Sequence, residues 1–310
     1  MSEEIEQLEK ALKDKNESAM TNITLKYTNK ERLKLREDYN KKFARDLLSD
    51  IEKNMKSDFQ SALSALYKEP NEYDAELLYN AMKGIGSDKD VIAEIICFRD
   101  FDTLNKIKEK FKEKYGKDLV SELKGETSGD YQKIVMALLE KERSKNNSPD
   151  LETCKKYAED LYIAGEKKVG TDENVFIKYF TTLSAEELAL VGKEYHKNYK
   201  KNIVHVIESE FSGNDKKILT NILYGLISPS EYFARKINDA VEGIGTADKQ
   251  LIRCIVTRCE IDMKLIRRYF KQIFKKDMIQ RVKDDISGEY QKLLEGLMTK
   301  YIVQIKKETK

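Results

Sequence analysis

A short glycine loop occurs three times in this chain, and an acidic residue follows each copy at a fixed distance. The copies read Met82-Lys83-Gly84-Ile85-Gly86-Ser87-Asp88, Lys167-Lys168-Val169-Gly170-Thr171-Asp172-Glu173 and Val241-Glu242-Gly243-Ile244-Gly245-Thr246-Ala247-Asp248. The acids are Glu126, Glu210 and Asp285, each 40 residues beyond the last glycine of its loop (86 to 126, 170 to 210, 245 to 285). Because the interval is kept while most intervening residues change, we expect each loop and its acid to meet in space.

The motif intervals indicate internal repeats of about 70 to 75 residues. Apolar residues at helical spacing predict five helices in the clearest repeat, with the glycine loop after the first and the acid after the fourth. A composition with 36% charged residues and only 3 prolines also favours helices. We therefore predict an all-α fold of four five-helix repeats, at residues 1–70, 71–145, 146–227 and 228–310.

Two local expectations accompany this fold. Ser87, with Asp90 three residues on, is predicted to cap the helix that follows the loop of the second repeat. The polar connector at residues 144–149, which ends in Pro149, is the predicted boundary between two halves and is grouped with the third repeat.

Several function classes are disfavoured. Lys and Arg (57) nearly balance Asp and Glu (55), which argues against a nucleic-acid partner. The acidic start lacks a signal-peptide core, and no apolar run approaches the roughly 18 residues of a spanning helix. Four cysteines without CxxC spacing favour reduced thiols in a cytoplasmic protein. No nucleophile elbow, Walker A loop, HExxH or dinucleotide fingerprint appears, so we predict no enzyme activity.

The repeated loops have the chemistry of a calcium site. Backbone carbonyls at a glycine turn, one carboxylate and water are ligands that Ca²⁺ accepts, whereas zinc would need Cys or His. With one carboxylate per ion, we expect weak affinity, on the order of 10⁻⁵ to 10⁻³ M, and positions open to an anionic oxygen at a membrane surface. The alternative is that the glycines only end helices and the acids only cap the helices that follow.

At these residues the chain resembles the annexin family over almost its whole length. The family pattern is (Met/Leu)-Lys-Gly-x-Gly-Thr-Asp-Glu, with an acid 40 residues after the second glycine, and residues 82–88 with Glu126 are similar to it. A divergent protozoan annexin related to the alpha-giardins is one form of this resemblance. It implies a curved disc of four repeats that binds acidic phospholipid membranes through Ca²⁺.

The resemblance also implies the ligands, position by position. The second repeat would use carbonyls of Met82, Gly84 and Gly86 with the Glu126 carboxylate, and the third those of Gly165, Lys168 and Gly170 with Glu210. The fourth would use carbonyls of Val241, Gly243 and Gly245 with Asp285. Thr171 and Glu173 would form a neighbouring minor site, for which Thr246 with Asp248 is a weaker candidate.

Three departures from the family pattern modify these expectations. In the first repeat the loop positions, residues 10–15, contain no glycine and Asn54 replaces the acid, so that repeat should bind no calcium. In the second repeat Lys89 replaces the acid of the minor site. Val169 stands where many relatives place a tryptophan, although Ile85, Val169 and Ile244 remain apolar loop tips.

The expected partners follow from these features. The first helix starts almost at Met1, so no partner that binds an N-terminal tail is expected. We expect a cytoplasmic protein that becomes peripheral at the inner face of membranes when calcium rises. The alternative is a cytoskeleton-associated scaffold with little calcium dependence, motivated by the altered first repeat and by lysine clusters at residues 106–110 and 197–201.

Overall fold

The computed structural model describes residues 2–84, 86–167 and 169–300, and within these ranges it contains twenty α-helices and no strand. The all-α, four-repeat prediction is confirmed. None of the helices in this part of the chain has the length and apolar composition needed to cross a membrane. The helices are α1 (Ser2–Lys13), α2 (Glu17–Lys26), α3 (Asn29–Phe43), α4 (Leu47–Asn54), α5 (Ser57–Leu66), α6 (Pro70–Met82), α7 (Lys89–Phe98), α8 (Phe101–Tyr115), α9 (Leu119–Glu126), α10 (Gly129–Glu140), α11 (Leu151–Ala164), α12 (Glu173–Thr182), α13 (Ala185–Tyr199), α14 (Ile203–Glu210), α15 (Gly213–Ile227), α16 (Pro229–Ala240), α17 (Asp248–Arg258), α18 (Met263–Phe274), α19 (Met278–Lys283) and α20 (Gly288–Thr299).

Each helix buries an apolar stripe, as helix α8 illustrates. Leu104, Ile107 and Phe111 recur at intervals of three and four residues and are buried. The Asp100 side chain accepts a hydrogen bond from the Thr103 amide, which caps the first turn. Gly116 ends the helix with a left-handed φ of 67°. Local sequence therefore sets both ends of this helix.

The start of helix α7 corrects one prediction. The capping side chain is that of Asp88, which accepts a hydrogen bond from the Val91 amide, and Ser87 is not the cap. The Ser87 hydroxyl instead donates to the backbone carbonyl of Glu126 at 3.1 Å. Ser87 is thus used in a contact between distant segments, which the capping pattern alone could not predict.

The helices form two compact units, one of residues 71–229 and one that combines residues up to 70 with those from 230 onward. In the first of these units, α7 packs on α15 and α10 packs on α12. In the other, α17 packs on α5 and α2 packs on α20. The second and fifth helices of one repeat therefore pack on the fifth and second helices of its partner repeat.

The connector at residues 144–149 is not the boundary between the two units. It lies inside the unit of residues 71–229. The Ser144 amide donates to the Thr182 carbonyl at 2.8 Å, and the Ser184 hydroxyl donates to the Asn146 carbonyl at 2.7 Å. The predicted boundary was wrong because polar composition marks an exposed segment, whereas packing between the second and third repeats decides which helices form one unit.

Candidate calcium sites

The glycines of the three loops adopt the backbone conformation that only glycine takes without strain. The φ angles are 105° at Gly84, 80° at Gly86, 83° at Gly170, 101° at Gly243 and 81° at Gly245. An L residue at such angles costs about 1 to 2 kcal/mol, so these positions favour glycine for backbone reasons alone. The chain therefore reverses sharply between the first and second helices of each of these repeats.

The same type of backbone hydrogen bond closes each loop. The Asp88 amide donates to the Ala81 carbonyl at 2.7 Å in the second repeat. The corresponding bonds run from Asp172 to Ala164 and from Ala247 to Ala240, both at 2.8 Å. These bonds join the last turn of one helix to the start of the next and define a compact loop in all three repeats.

The acid-bearing turn contacts the loop in every one of these repeats. The Thr171 hydroxyl donates to Glu210 Oε2 at 2.6 Å, and the Thr246 hydroxyl donates to Asp285 Oδ2 at 2.6 Å. In the second repeat the contact is the bond from Ser87 to the backbone carbonyl of Glu126, and the Glu126 side chain is exposed. The 40-residue interval thus corresponds to a direct contact between the two motifs.

Two glutamines outside the repeated loop and acid motifs hold the acid-bearing turns. Gln132 Nε2 donates to the carbonyls of Lys124 at 2.7 Å and Thr127 at 2.5 Å. Gln291 Nε2 makes the equivalent bonds to Lys283 and Ile286, both at 2.7 Å. A sequence pattern for these two glutamines exists, because Gly-Asp-Tyr-Gln and Gly-Glu-Tyr-Gln follow the acids of the second and fourth repeats. These side chains position the backbone that carries Glu126 and Asp285.

The loop of the third repeat is longer and is anchored at a further point. Gly165 follows helix α11, and a Cβ there would lie 3.3 Å from Phe176 and 3.4 Å from the Glu210 side chain. Glu166 accepts a hydrogen bond from the Tyr195 hydroxyl at 2.7 Å and pairs with Lys201. Burial and this bond raise the pKa of Tyr195, so the phenol stays protonated as the donor. Glycine at position 165 therefore lets the loop approach Glu210, the predicted ligand acid, closely.

The remaining predicted ligands lie at helix ends near these loops. Met82 is the last residue of α6, Val241 directly follows α16, and Glu173 is the first residue of α12. Asp248 begins α17, and burial together with the nearby charge of Asp58 raises its pKa. Lys168 and Ile85 lie outside the described residues. The assignment of individual carbonyl ligands stays a prediction.

The donor set fits Ca²⁺ on two grounds. Each loop meets a turn that carries one acid, Glu126, Glu210 or Asp285, and the loop backbone itself offers only carbonyl oxygens as acceptors. Oxygen-only donors suit a hard cation such as Ca²⁺. Glu126 and Glu210 are also the last residues of α9 and α14, where the helix dipole is negative and a cation is favoured.

Two loop tips carry fully exposed apolar side chains. Val169 and Ile244 have relative exposures of 106% and 108%, and both lie within the glycine loops. An isolated exposed apolar residue is common on protein surfaces. Here both stand beside a candidate cation site, which is the arrangement expected of a surface that meets the boundary between lipid headgroups and acyl chains.

A cleft of about 480 Å³ adjoins the loop of the second repeat. It is lined by the loop and the start of helix α7, from Gly86 to Asp90, by Glu126, and by Asn214 and Lys217 from helix α15. Lys217 pairs with Asp90 at 2.9 Å. The cleft lies within the unit of residues 71–229 and places two lysines, Lys89 and Lys217, near the acid of that repeat.

The first repeat lacks both halves of the site. Its first two helices are joined by residues 14–16 alone, closed by a bond from the Asn16 amide to the Ala11 carbonyl at 2.8 Å. Asn54, at the position of the acid, donates its amide to the Asp50 carbonyl at 2.9 Å. Ser57 has a φ of 53° at the position where the other repeats have Gly129, Gly213 and Gly288.

The chain is similar to known proteins in both sequence and fold. A sequence profile of the family described as Annexin matches residues 3–66, 73–138, 156–222 and 232–297. Annexin A7 of Dictyostelium discoideum is 36% identical over 294 residues, which span 93% of this chain but 63% of that protein. The structure of an annexin A8 mutant gives a TM-score of 0.90 at 34% identity, covering 95% of this chain and 93% of that one. Calcium-bound annexin (Sm)1 gives a TM-score of 0.83 at 29% identity, covering 96% and 90%.

Each profile match falls on one set of five helices, α1–α5, α6–α10, α11–α15 and α16–α20. The similarity therefore extends through all four repeats, including the first, which has no glycine loop. On this evidence the chain belongs to the annexin family.

Proposed function

We propose that this chain binds acidic phospholipid membranes in a calcium-dependent manner through the loops of its second, third and fourth repeats. The observation that carries the proposal is the contact between each glycine loop and its acid-bearing turn, made by Ser87, Thr171 and Thr246. Annexins generally bind phospholipid with calcium and are generally binding proteins without enzymatic activity. The assignment of this function to three particular loops and their acids is the part specific to this chain.

The residues that would hold the ion follow from the loop geometry. Glu126, Glu210 and Asp285 would each supply a carboxylate, and the loop carbonyls predicted from the family pattern would supply further oxygens. Bound Ca²⁺ contributes a hard, positively charged centre with coordination positions that a lipid phosphate can fill. The chain itself keeps the acid within reach of the loop, through the hydroxyl contacts and through Gln132 and Gln291.

The apolar tips would add a second contribution. Full burial of a valine or isoleucine side chain contributes roughly 1.5 to 3 kcal/mol, and burial at the headgroup boundary contributes part of that. Val169 and Ile244 are fully exposed in the absence of a membrane. Three weak loops that engage one bilayer reinforce one another, because after the first contact the others bind at high effective concentration. The protein would be cytoplasmic at low calcium and peripheral on the inner face of membranes when calcium rises.

The test is sedimentation with phosphatidylserine vesicles across a calcium titration, with phosphatidylcholine vesicles as the control. We expect pelleting with phosphatidylserine and calcium, and release by a chelator. Equal pelleting with and without calcium, or none in either condition, would refute the proposal.

The scaffold alternative remains a prediction that the same preparation can test. Two of the three lysines of the first cluster have partners within the chain, since Lys108 bonds Asn105 and the Leu139 carbonyl, and Lys110 pairs with Glu113. Such lysines are less available to a polymer surface. Sedimentation with actin filaments or microtubules in the presence of a chelator would favour the scaffold only if the protein pellets with filaments.

A further inference from the structure

The ligand acid of the fourth repeat is already engaged by two groups of its own chain. Asp285 Oδ2 accepts the Thr246 hydroxyl at 2.6 Å, and Asp285 Oδ1 lies 3.4 Å from Arg281 Nη1. Both partners of the ion pair are largely shielded, with side-chain exposures of 22% for Arg281 and 18% for Asp285. Each carboxylate oxygen that a cation would use therefore faces a donor.

The other two acids have no cation at the corresponding position. The residue four places before the acid is Arg281 in the fourth repeat, but Glu122 in the second and Val206 in the third. Glu122 pairs with Lys117 at 2.7 Å, and Val206 is buried. The contact of Glu210 is with a neutral hydroxyl, that of Thr171. Lys89 and Lys217 line the cleft that contains Glu126, but the fourth repeat differs in having a guanidinium 3.4 Å from the carboxylate itself.

We infer that Arg281 is a built-in counter-cation that competes with Ca²⁺ for Asp285 and gives the fourth loop a higher calcium threshold than it would otherwise have. This rests on the proposed calcium site of that loop. An arriving ion must displace the guanidinium from Asp285 Oδ1, and a guanidinium that stays nearby repels the bound dication. Because the pair is partly buried, solvent screens both effects less than at an open surface.

The consequence is a graded response to calcium. The loops of the second and third repeats would fill first, and the fourth would fill at a higher concentration. A partly shielded ion pair of this kind corresponds to about a threefold to tenfold change in dissociation constant. The fourth loop would then add its lipid contact only to a stronger calcium signal.

The test isolates the fourth loop in the full-length chain. The Glu126→Gln/Glu210→Gln double variant removes the other two carboxylates, and calcium binding without lipid is measured by titration calorimetry with and without Arg281→Gln. We expect Arg281→Gln to tighten binding about threefold to tenfold, or to produce binding where the double variant shows none. Unchanged or weaker binding, or no binding in either protein, would overturn the inference.

Three further variants separate charge from packing. Lys283→Gln makes the same charge change in the same helix, but Lys283 pairs with Glu295 at 2.9 Å and not with Asp285, so we expect less than a twofold effect. Arg281→Lys keeps the charge and should keep most of the threshold. Conversely, Glu122→Arg in a Glu210→Gln/Asp285→Asn background should weaken the second loop by a similar factor. Equal tightening by Lys283→Gln and Arg281→Gln would attribute the effect to net charge and overturn the specific role of Arg281.

Failure of the inference is distinguishable from failure of the proposed function. If the double variant binds calcium and Asp285→Asn abolishes that binding, the fourth site exists whatever Arg281 does. If the wild type itself does not pellet with phosphatidylserine vesicles in calcium, the proposed function fails first.

Discussion

The first and second repeats have the same five helices but use their charged side chains in different places. In the second repeat Tyr79 stacks on Tyr115 at 3.9 Å between ring centroids, and Glu126 is exposed beside the glycine loop. In the first repeat Glu9 occupies the position that corresponds to Tyr79, since each directly follows a buried leucine, Leu8 or Leu78. An ionic network takes the place of the aromatic pair there.

That network is dense, and its acids are shielded while its two cations reach the surface. The Tyr39 hydroxyl bonds Glu9 Oε2 at 2.5 Å and Asp50 Oδ2 at 2.8 Å. Arg45 pairs with Glu9 at 2.5 Å and with Asp50 at 3.1 Å, and Lys13 pairs with Glu9 at 2.8 Å. Burial raises the pKa of Glu9, but the bonds from Lys13, Tyr39 and Arg45 outweigh it and lower the pKa to about 2.

The comparison teaches that the five-helix scaffold does not depend on the glycine loop. A repeat can lose the loop and its acid while keeping every helix, provided that its interior polar groups find partners. The four predictions below test this separation between scaffold and site.

The largest effect should come from removing all three ligand acids of the proposed sites. We expect Glu126→Gln/Glu210→Gln/Asp285→Asn to lose calcium-dependent vesicle binding, by at least about 100-fold, because each change removes the one anionic ligand of a loop. The scaffold should be unaffected, with an unchanged circular dichroism spectrum. Glu122→Gln, on the same helix as Glu126, is the matched control. Retained calcium-dependent pelleting of the triple variant would break the assignment of function to these loops.

The next effect concerns the network of the first repeat. We expect Glu9→Gln to destabilise the protein by about 1 to 3 kcal/mol, because several charge-assisted bonds are lost together. Because the folded-state pKa of Glu9 is depressed, its stabilisation is present above the ordinary value near 4.5 and is lost as pH falls through about 2.

Thermal unfolding at pH 7 and pH 3 measures the difference between Glu9→Gln and wild type, which should shrink at the lower pH. Glu6→Gln is the control, since Glu6 is 67% exposed and pairs with Lys42 on the surface. An equal effect of the two variants would show that the network is not special to the first repeat's interior.

A smaller effect is expected at Ser57. Its φ of 53° is one that glycine takes in the other three repeats, so Ser57→Gly should stabilise the protein by about 0.5 to 1 kcal/mol. Ser61→Gly, within helix α5, should destabilise by a similar amount. Chemical denaturation compares the two, and a destabilised Ser57→Gly variant would contradict the interpretation of strain.

The smallest effect should be that of restoring the acid alone. Asn54→Glu in the triple-acid variant should create no calcium binding, because the first repeat joins its helices through residues 14–16 without glycine. Calorimetry provides the measurement. A calcium-binding signal in that variant would mean that a carboxylate suffices without the loop.

Local features of the fold were predictable from the sequence. The amphipathic helices, the glycine turns and the missing loop of the first repeat all depend on neighbours in the chain, and the structure has them. The 40-residue interval even anticipated the contact of Thr171 with Glu210. The cap at Asp88 was missed because Ser and Asp both cap helices, and a distant contact decided between them.

Long-range features were not predictable in this way. The pairing of the second repeat with the third, and of the first with the fourth, depends on complementary helix faces far apart in sequence. Gln132 and Gln291 act through their length and direction in the folded state, which spacing alone does not show. Arg281 resembles any surface arginine until its distance to Asp285 is known.

The two units become complete at different times during synthesis of the chain. Residues 71–229 form a continuous unit, whereas the unit that holds helices α2 and α5 also needs α17 and α20. At roughly 5 to 20 residues per second, synthesis of the intervening segment takes on the order of ten to thirty seconds. During that time the first repeat emerges without the helices that cover its apolar faces, and chaperones have their longest opportunity to bind there.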